Sequence, residues 1–73
     1  MMAQRVLVQT WDCGSVAARA RVAQIDDEAI SAHEIDIDQV EIFGAPIALK
    51  ELSPAVVNAI REHFYYRDEW EAA

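Results

Sequence analysis

Seventy-three residues, 53% of them hydrophobic, make one small domain, 1–73. Thirteen are alanines, so large apolar side chains are few and the core is modest. The single Cys13 forms no internal disulfide, no Cys/His cluster has zinc spacing, and no apolar run nears the roughly 18 residues of a membrane span, which exclude a disulfide-stapled mini-protein, a zinc module and a spanning protein. A net charge of −7 argues against direct binding of nucleic acid or an anionic membrane. Met1-Met2-Ala3-Gln4-Arg5 is too poor in hydrophobics to open a signal peptide, so a cytoplasmic setting is expected.

In chain order, Gln4–Trp11 is rich in β-branched and aromatic residues, with Val6 and Val8 on one face and Leu7 on the other, which predicts a strand. Asp12-Cys13-Gly14-Ser15 is a turn. Val16–Ile25 reads two ways. As a helix it has Ser15 as N-cap and alanines that favour it. As a strand it completes an antiparallel hairpin with Gln4–Trp11, and the short connection favours the strand. Asp26-Asp27-Glu28 follows as a loop.

Ile30–Phe43 reads as a β segment in which Ile35 and Ile37 alternate with Glu34, Asp36 and Asp38. Beyond Asp38 the phase slips, because Val40 and Ile42 occupy even positions, and a bulge near Asp38-Gln39 is expected. Gly44-Ala45-Pro46 reads as the next turn, and Ile47 with Leu49 as a short strand. Ser53 is a natural N-cap with Pro54 at the first helical position, and Leu52 can staple onto Val57. Val56, Val57, Ile60 and Phe64 form an apolar stripe on a helix from Pro54 to about Tyr66. Residues 67–73 have neither cap nor period, and this acidic tail is expected to fray. The fold class is therefore α+β: a small antiparallel sheet of three to four strands with one C-terminal amphipathic helix packed on it.

Charge is unevenly distributed. Residues 1–25 balance at +2, residues 43–73 at −2, and residues 26–42 at −7, with Asp26, Asp27, Glu28, Glu34, Asp36, Asp38 and Glu41 and no basic residue between them. A solvated face that keeps a small domain soluble is the plain reading. The alternative is a binding surface. On a strand, Glu34, Asp36 and Asp38 project from one face about 6.6–7 Å apart, comparable to the phosphate spacing along a nucleic-acid strand. A groove lined with Lys and Arg would find a similar potential here, which makes the row a candidate DNA mimic.

Other chemistries have little support. No glycine-bearing calcium loop surrounds Asp36, Asp38 and Glu41, and His33 and His63 lie thirty residues apart, so no metal is expected. Cys13 has no base beside it, so no nucleophilic role is expected. Only Gly14 and Gly44 are glycines, which leaves no phosphate-cradling loop, so neither a cofactor nor an enzymatic activity is expected. Tyr65, Tyr66 and Trp70 fall outside the helical stripe and serve either as interface anchors or, for Trp70, as cover for the sheet.

An acidic alternating segment, Glu34–Gly44, then a short strand, a helix capped by Leu52-Ser53-Pro54 and a mixed aromatic and acidic end together resemble the small acidic accessory proteins encoded by bacteriophages. The resemblance covers about residues 34–71 and carries over no residue roles. It implies an inhibitor or regulator acting in the host bacterial cytoplasm. Such a protein would occlude the basic, nucleic-acid-binding surface of a CRISPR surveillance complex (an anti-CRISPR), an RNA polymerase or a restriction enzyme. The partner-binding residues expected are Glu34, Asp36, Asp38, Glu41, Asp26, Asp27, Glu28, Tyr65, Tyr66 and Trp70. An antitoxin-like neutraliser of a basic protein, or an assembly domain whose acidity gives only solubility, are the other readings, and an open sheet edge allows a monomer or a homodimer.

Overall fold

The computed structural model describes residues 4–26 and 28–73. It is a small α+β fold: an antiparallel sheet of five strands, one more than the upper expectation, with a single helix on one face. The strands are β1 (Gln4–Asp12), β2 (Val16–Ile25), β3 (Asp36–Ile42), β4 (Ala45–Ile47) and β5 (Glu71–Ala72), and the helix is α1 (Pro54–Arg67). Their spatial order is β4-β3-β2-β1-β5. Four strands thus form a meander, and α1 carries the chain back across the sheet so that β5 lies on the far side of β1.

Val16–Ile25 is a strand despite its alanines, paired with β1 from Gln4↔Ile25 to Asp12↔Ala17. Tertiary context overrides helix propensity here, because the alternation puts Ala18, Ala20 and Val22 into the core and turns Arg19 and Arg21 out. The bulge lies where the phase slip places it. Arg19 pairs with Gln39 and Ala20 with Ile37, so Asp38 is the extra residue of β3, and Ile37 and Val40 can both face inward.

The core consists of Leu7, Ala18, Ala20, Val22, Ile35, Ile37, Val40 and Phe64, with Trp11, Ile30, Leu49, Leu52, Val57, Ile60 and Trp70 half-buried around it. Phe64 is fully buried in the same cluster as the small Ala18 and Ala20 of β2. Ser53 caps α1 by accepting the Val56 N–H at 3.3 Å, and Pro54 occupies the first turn. Val57, Ile60 and Phe64 face the sheet, but Val56 is exposed and leaves the predicted stripe. Adjacent helical residues point about 100° apart, so Val56 cannot share the inward direction of Val57. Two arginines tie the helix to the strands: Arg61 donates to the Ile35 carbonyl (3.0 Å) and Arg67 to the Thr10 carbonyl (3.2 Å). Gln9 is buried at 3% exposure, and its side-chain amide donates to the Phe64 carbonyl at 3.2 Å.

Four expectations need correction. Ile30–Phe43 is not one strand, because Ala32–Glu34 forms a short 3₁₀ helix and β3 starts only at Asp36. Ser31 and Glu34 supply the S-x-x-E turn chemistry: the Glu34 N–H donates to the Ser31 carbonyl at 3.0 Å, and the Glu34 carboxylate accepts the Ser31 N–H at 3.5 Å. Leu49 belongs to a second 3₁₀ turn, Leu49–Glu51, rather than to a strand. The turn before β4 is Phe43-Gly44, with Ala45 and Pro46 already paired to Ile42 and Glu41. The tail, read as having neither cap nor period, ends α1 with Asp68 in the left-handed conformation and pairs Glu71 and Ala72 with Val8 and Leu7. The tail has little strand propensity of its own, and its position follows from where the helix delivers it.

Candidate interaction surface

Helix α1 covers only one face of the sheet, and strand alternation fixes what the other presents. Residues opposite each other across antiparallel strands project to the same side. The registers therefore build four rows on the open face: Asp12–Ala17–Glu41, Thr10–Arg19–Gln39, Glu71–Val8–Arg21–Asp36 and Val6–Ala23. The bulged Asp38 joins them through an ion pair to Arg19 at 3.1 Å. Five carboxylates, Asp12, Asp36, Asp38, Glu41 and Glu71, thus surround two central guanidinium groups, Arg19 and Arg21.

The first row is a pair of carboxylates flanking an alanine. With strands 4.7–4.9 Å apart, the Asp12 and Glu41 backbones stand about 9.5 Å apart, with the small Ala17 between them. A shallow trough of about 260 Å³ opens here, lined by Thr10, Asp12, Ala17, Arg19, Gln39 and Glu41. Asp12 also accepts the Gly14 N–H at 2.8 Å, and Glu41 accepts from the Gln39 side-chain amide at 3.1 Å, so both carboxylates are held in place. Arg5, Arg19, Arg61 and Arg67 donate to partners in the chain, namely Gln24, Asp38, the Ile35 carbonyl and Asn58, and the Thr10 carbonyl and Glu69. Four of the six basic side chains are thereby engaged within the chain, and on the open face Asp12, Asp38 and Glu41 accept contacts as well, while Asp36 and Glu71 are exposed.

The predicted row of Glu34, Asp36 and Asp38 is not continuous. Glu34 sits in the 3₁₀ turn bonded to Ser31, Asp36 stands on β3 opposite Arg21, and Asp38 occupies the bulge against Arg19. Glu41 belongs to the face, in the Asp12 row. Asp26 lies in the turn after β2, Glu28 is exposed, and Asp27 falls outside the described residues.

Glu28 meets the aromatic residues at the opposite end of the sheet, where an open trough of about 540 Å³ is lined by Glu28, Ile30, Tyr65, Tyr66, Asp68 and Trp70. Tyr66 is exposed and stacks edge-on against Tyr65 with ring centroids 5.1 Å apart. Trp70 is half-buried with its ring 6.5 Å from that of Phe64, so it serves mainly to cover the core. His63 is half-buried against Trp11, with centroids 4.5 Å apart.

Sequence reading passed over Phe43, which is 83% exposed at the β3–β4 turn. The signal was partial: Gly44 between the apolar Val40, Ile42 and Ile47 marks a hairpin loop, but phenylalanine is not a residue that favours its first position. Among the described residues no group of three His, Cys, Asp or Glu side chains is placed to hold a metal ion, and no helix is long and apolar enough to cross a membrane. Neither the family models, the curated proteins nor the solved structures compared with the chain match it.

Proposed function

We propose that this protein is an anionic interaction protein of bacteriophage type. It binds the basic, nucleic-acid-binding surface of a host complex in the bacterial cytoplasm, such as a CRISPR surveillance complex, an RNA polymerase or a restriction enzyme, and occludes it. No catalytic step is part of the proposal. The observation that carries it is the charge of the open face: five carboxylates, Asp12, Asp36, Asp38, Glu41 and Glu71, stand around two guanidinium groups, of which Arg19 is already paired with Asp38. Such a face attracts Lys and Arg side chains over a Debye length of roughly 8–10 Å and offers them acceptors at fixed positions. The mimic is a two-dimensional field of acids on β1, β3 and β5, not a single row along one strand.

The test neutralises three acids of the open face, of which only Glu41 accepts a side-chain hydrogen bond, from Gln39, that a glutamine there can still accept. Asp36→Asn, Glu41→Gln and Glu71→Gln together leave the Asp38–Arg19 pair and the Asp12 turn in place. Wild-type protein is used to isolate its partner from a bacterial lysate, and binding kinetics are then measured from low to high salt. The triple variant should associate more slowly and show a flatter salt dependence, and nucleic acid should compete with the wild type for the partner. Unchanged kinetics at every salt concentration would reduce the acidity to a solubility device.

A further inference from the structure

The two phenylalanines have opposite environments: Phe64 is 0% exposed and Phe43 is 83% exposed. Phe43 also stands at an unfavourable backbone position. Its φ is +51° and that of Gly44 is +79°, and Ile42 pairs with Ala45, so the two residues form the centre of a primed, two-residue hairpin turn. Asn-Gly or Gly-Gly fits such a turn without strain, whereas a bulky residue at positive φ is an outlier. The other non-glycine residues at positive φ among those described are Asp26 and Asp68, of a type that tolerates the left-handed region. Phe43 therefore occupies a position where it strains the turn and buries little of its ring.

The tip is nevertheless firmly held. The Phe43 N–H donates to the Ser15 carbonyl at 2.9 Å, which joins the β3–β4 turn to the β1–β2 turn at one end of the sheet. In the β1–β2 turn, the Cys13 N–H donates to the Val16 carbonyl at 3.0 Å and Gly14 bonds to Asp12. An aromatic side chain held out on a fixed backbone enters a pocket with little further loss of conformational freedom. The charges beside it define the pocket's rim: segments 12–15 and 41–46 contain Asp12 and Glu41 and no basic residue. Both acids lie in the row of the open face that ends nearest this tip.

We infer that Phe43 is an aromatic anchor that inserts into an apolar pocket rimmed by Lys or Arg on the partner protein, next to the basic surface that the acidic face covers. This rests on the functional reading above for the identity of the partner, and it adds a contact that is insensitive to salt. The strained, exposed aromatic is then retained for binding at the expense of the turn.

The experiment uses the full chain. Biotinylated wild-type protein is immobilised, and the proteins it retains from a bacterial lysate at about 0.15 M salt serve as the probe. Unlabelled wild type, Phe43→Asn, Phe43→Leu and the triple acid variant are added as competitors, and thermal unfolding of each is recorded. Phe43→Asn should unfold at or above the wild-type midpoint, because asparagine suits the turn, yet compete about 30-fold more weakly or worse at low and high salt alike. Phe43→Leu should recover most of the competition. Equal competition by Phe43→Asn and wild type would overturn the anchor and, if the acid variant alone fails to compete, leave the functional reading standing. Loss with Phe43→Asn, alongside full competition by the acid variant and none by nucleic acid, would keep the anchor and overturn the functional reading. Self-association of the wild type that Phe43→Asn abolishes would place the pocket on a second copy and overturn the stated partner, and retention of no protein would overturn both proposals.

Discussion

The two faces of the sheet are built from the same three long strands and do opposite work. Beneath α1, Leu7, Ala20, Val22, Ile37 and Val40 form an apolar layer into which the buried Gln9 donates its side-chain N–H to the Phe64 carbonyl, leaving its Oε1 without a partner. On the other side the same strands present Arg19, Arg21, Asp36, Glu41 and Thr10, with Val6 and Val8 half-buried. The covered face supplies the cohesion of a chain that has little to spare, and the open face is free to vary in charge. A ridge of side chains can therefore be rewritten on one side of a strand while its neighbours hold the fold.

Substitutions can break or sharpen this contrast. The largest effect belongs to the covered face: Phe64→Ala should remove about 3–5 kcal/mol, enough to leave so small a domain largely unfolded in a thermal melt. A cooperative transition near the wild-type midpoint would mean that α1 contributes little to the core. At the boundary between helix and solvent, Ser53→Ala should cost about 1 kcal/mol by freeing the Val56 N–H, measured by urea titration with an unchanged slope. Smallest is the open face. Arg19→Ala should shift stability by only about 0.2–1 kcal/mol, since its pair with Asp38 is half-exposed, and added salt should shrink the difference further. An effect there as large as that of Phe64→Ala would erase the distinction between the faces.

Residues whose structure is local were legible in the chain. Ser53-Pro54 announces its helix because cap and proline act within one turn, and the slip between Ile37 and Val40 announces the bulge because two inward residues cannot share a strict period of two. The stretch before β3 misled because Ile30 and Ile35 lie among acids that look alternating, although Ser31 and Glu34 carried the turn signature. Pairing of Glu71 and Ala72 was not legible at all, since nothing in those residues favours a strand and only the course of α1 brings them to β1. For the candidate surface, the acidic residue types could be read off directly. Their arrangement could not, because it depends on one 3₁₀ turn at Glu34, one bulge at Asp38 and a row shared between strands far apart in sequence.

The pairing of Leu7 with Ala72 brings together residues from nearly opposite ends of the chain, and this shapes the order in which the molecule assembles. The β1–β2 and β3–β4 hairpins close short loops, so they carry a small entropic penalty and can form early. Joining β5 to β1 closes a loop of some sixty residues for only two paired positions, aided by the Ala73 N–H to Val6 and by Arg67 to Thr10. That seam forms last and opens first, by local fluctuation rather than global unfolding. Each opening bares the outer edge of β1, so the rate of strand exchange between molecules would be set at the tail and not at the hydrophobic core.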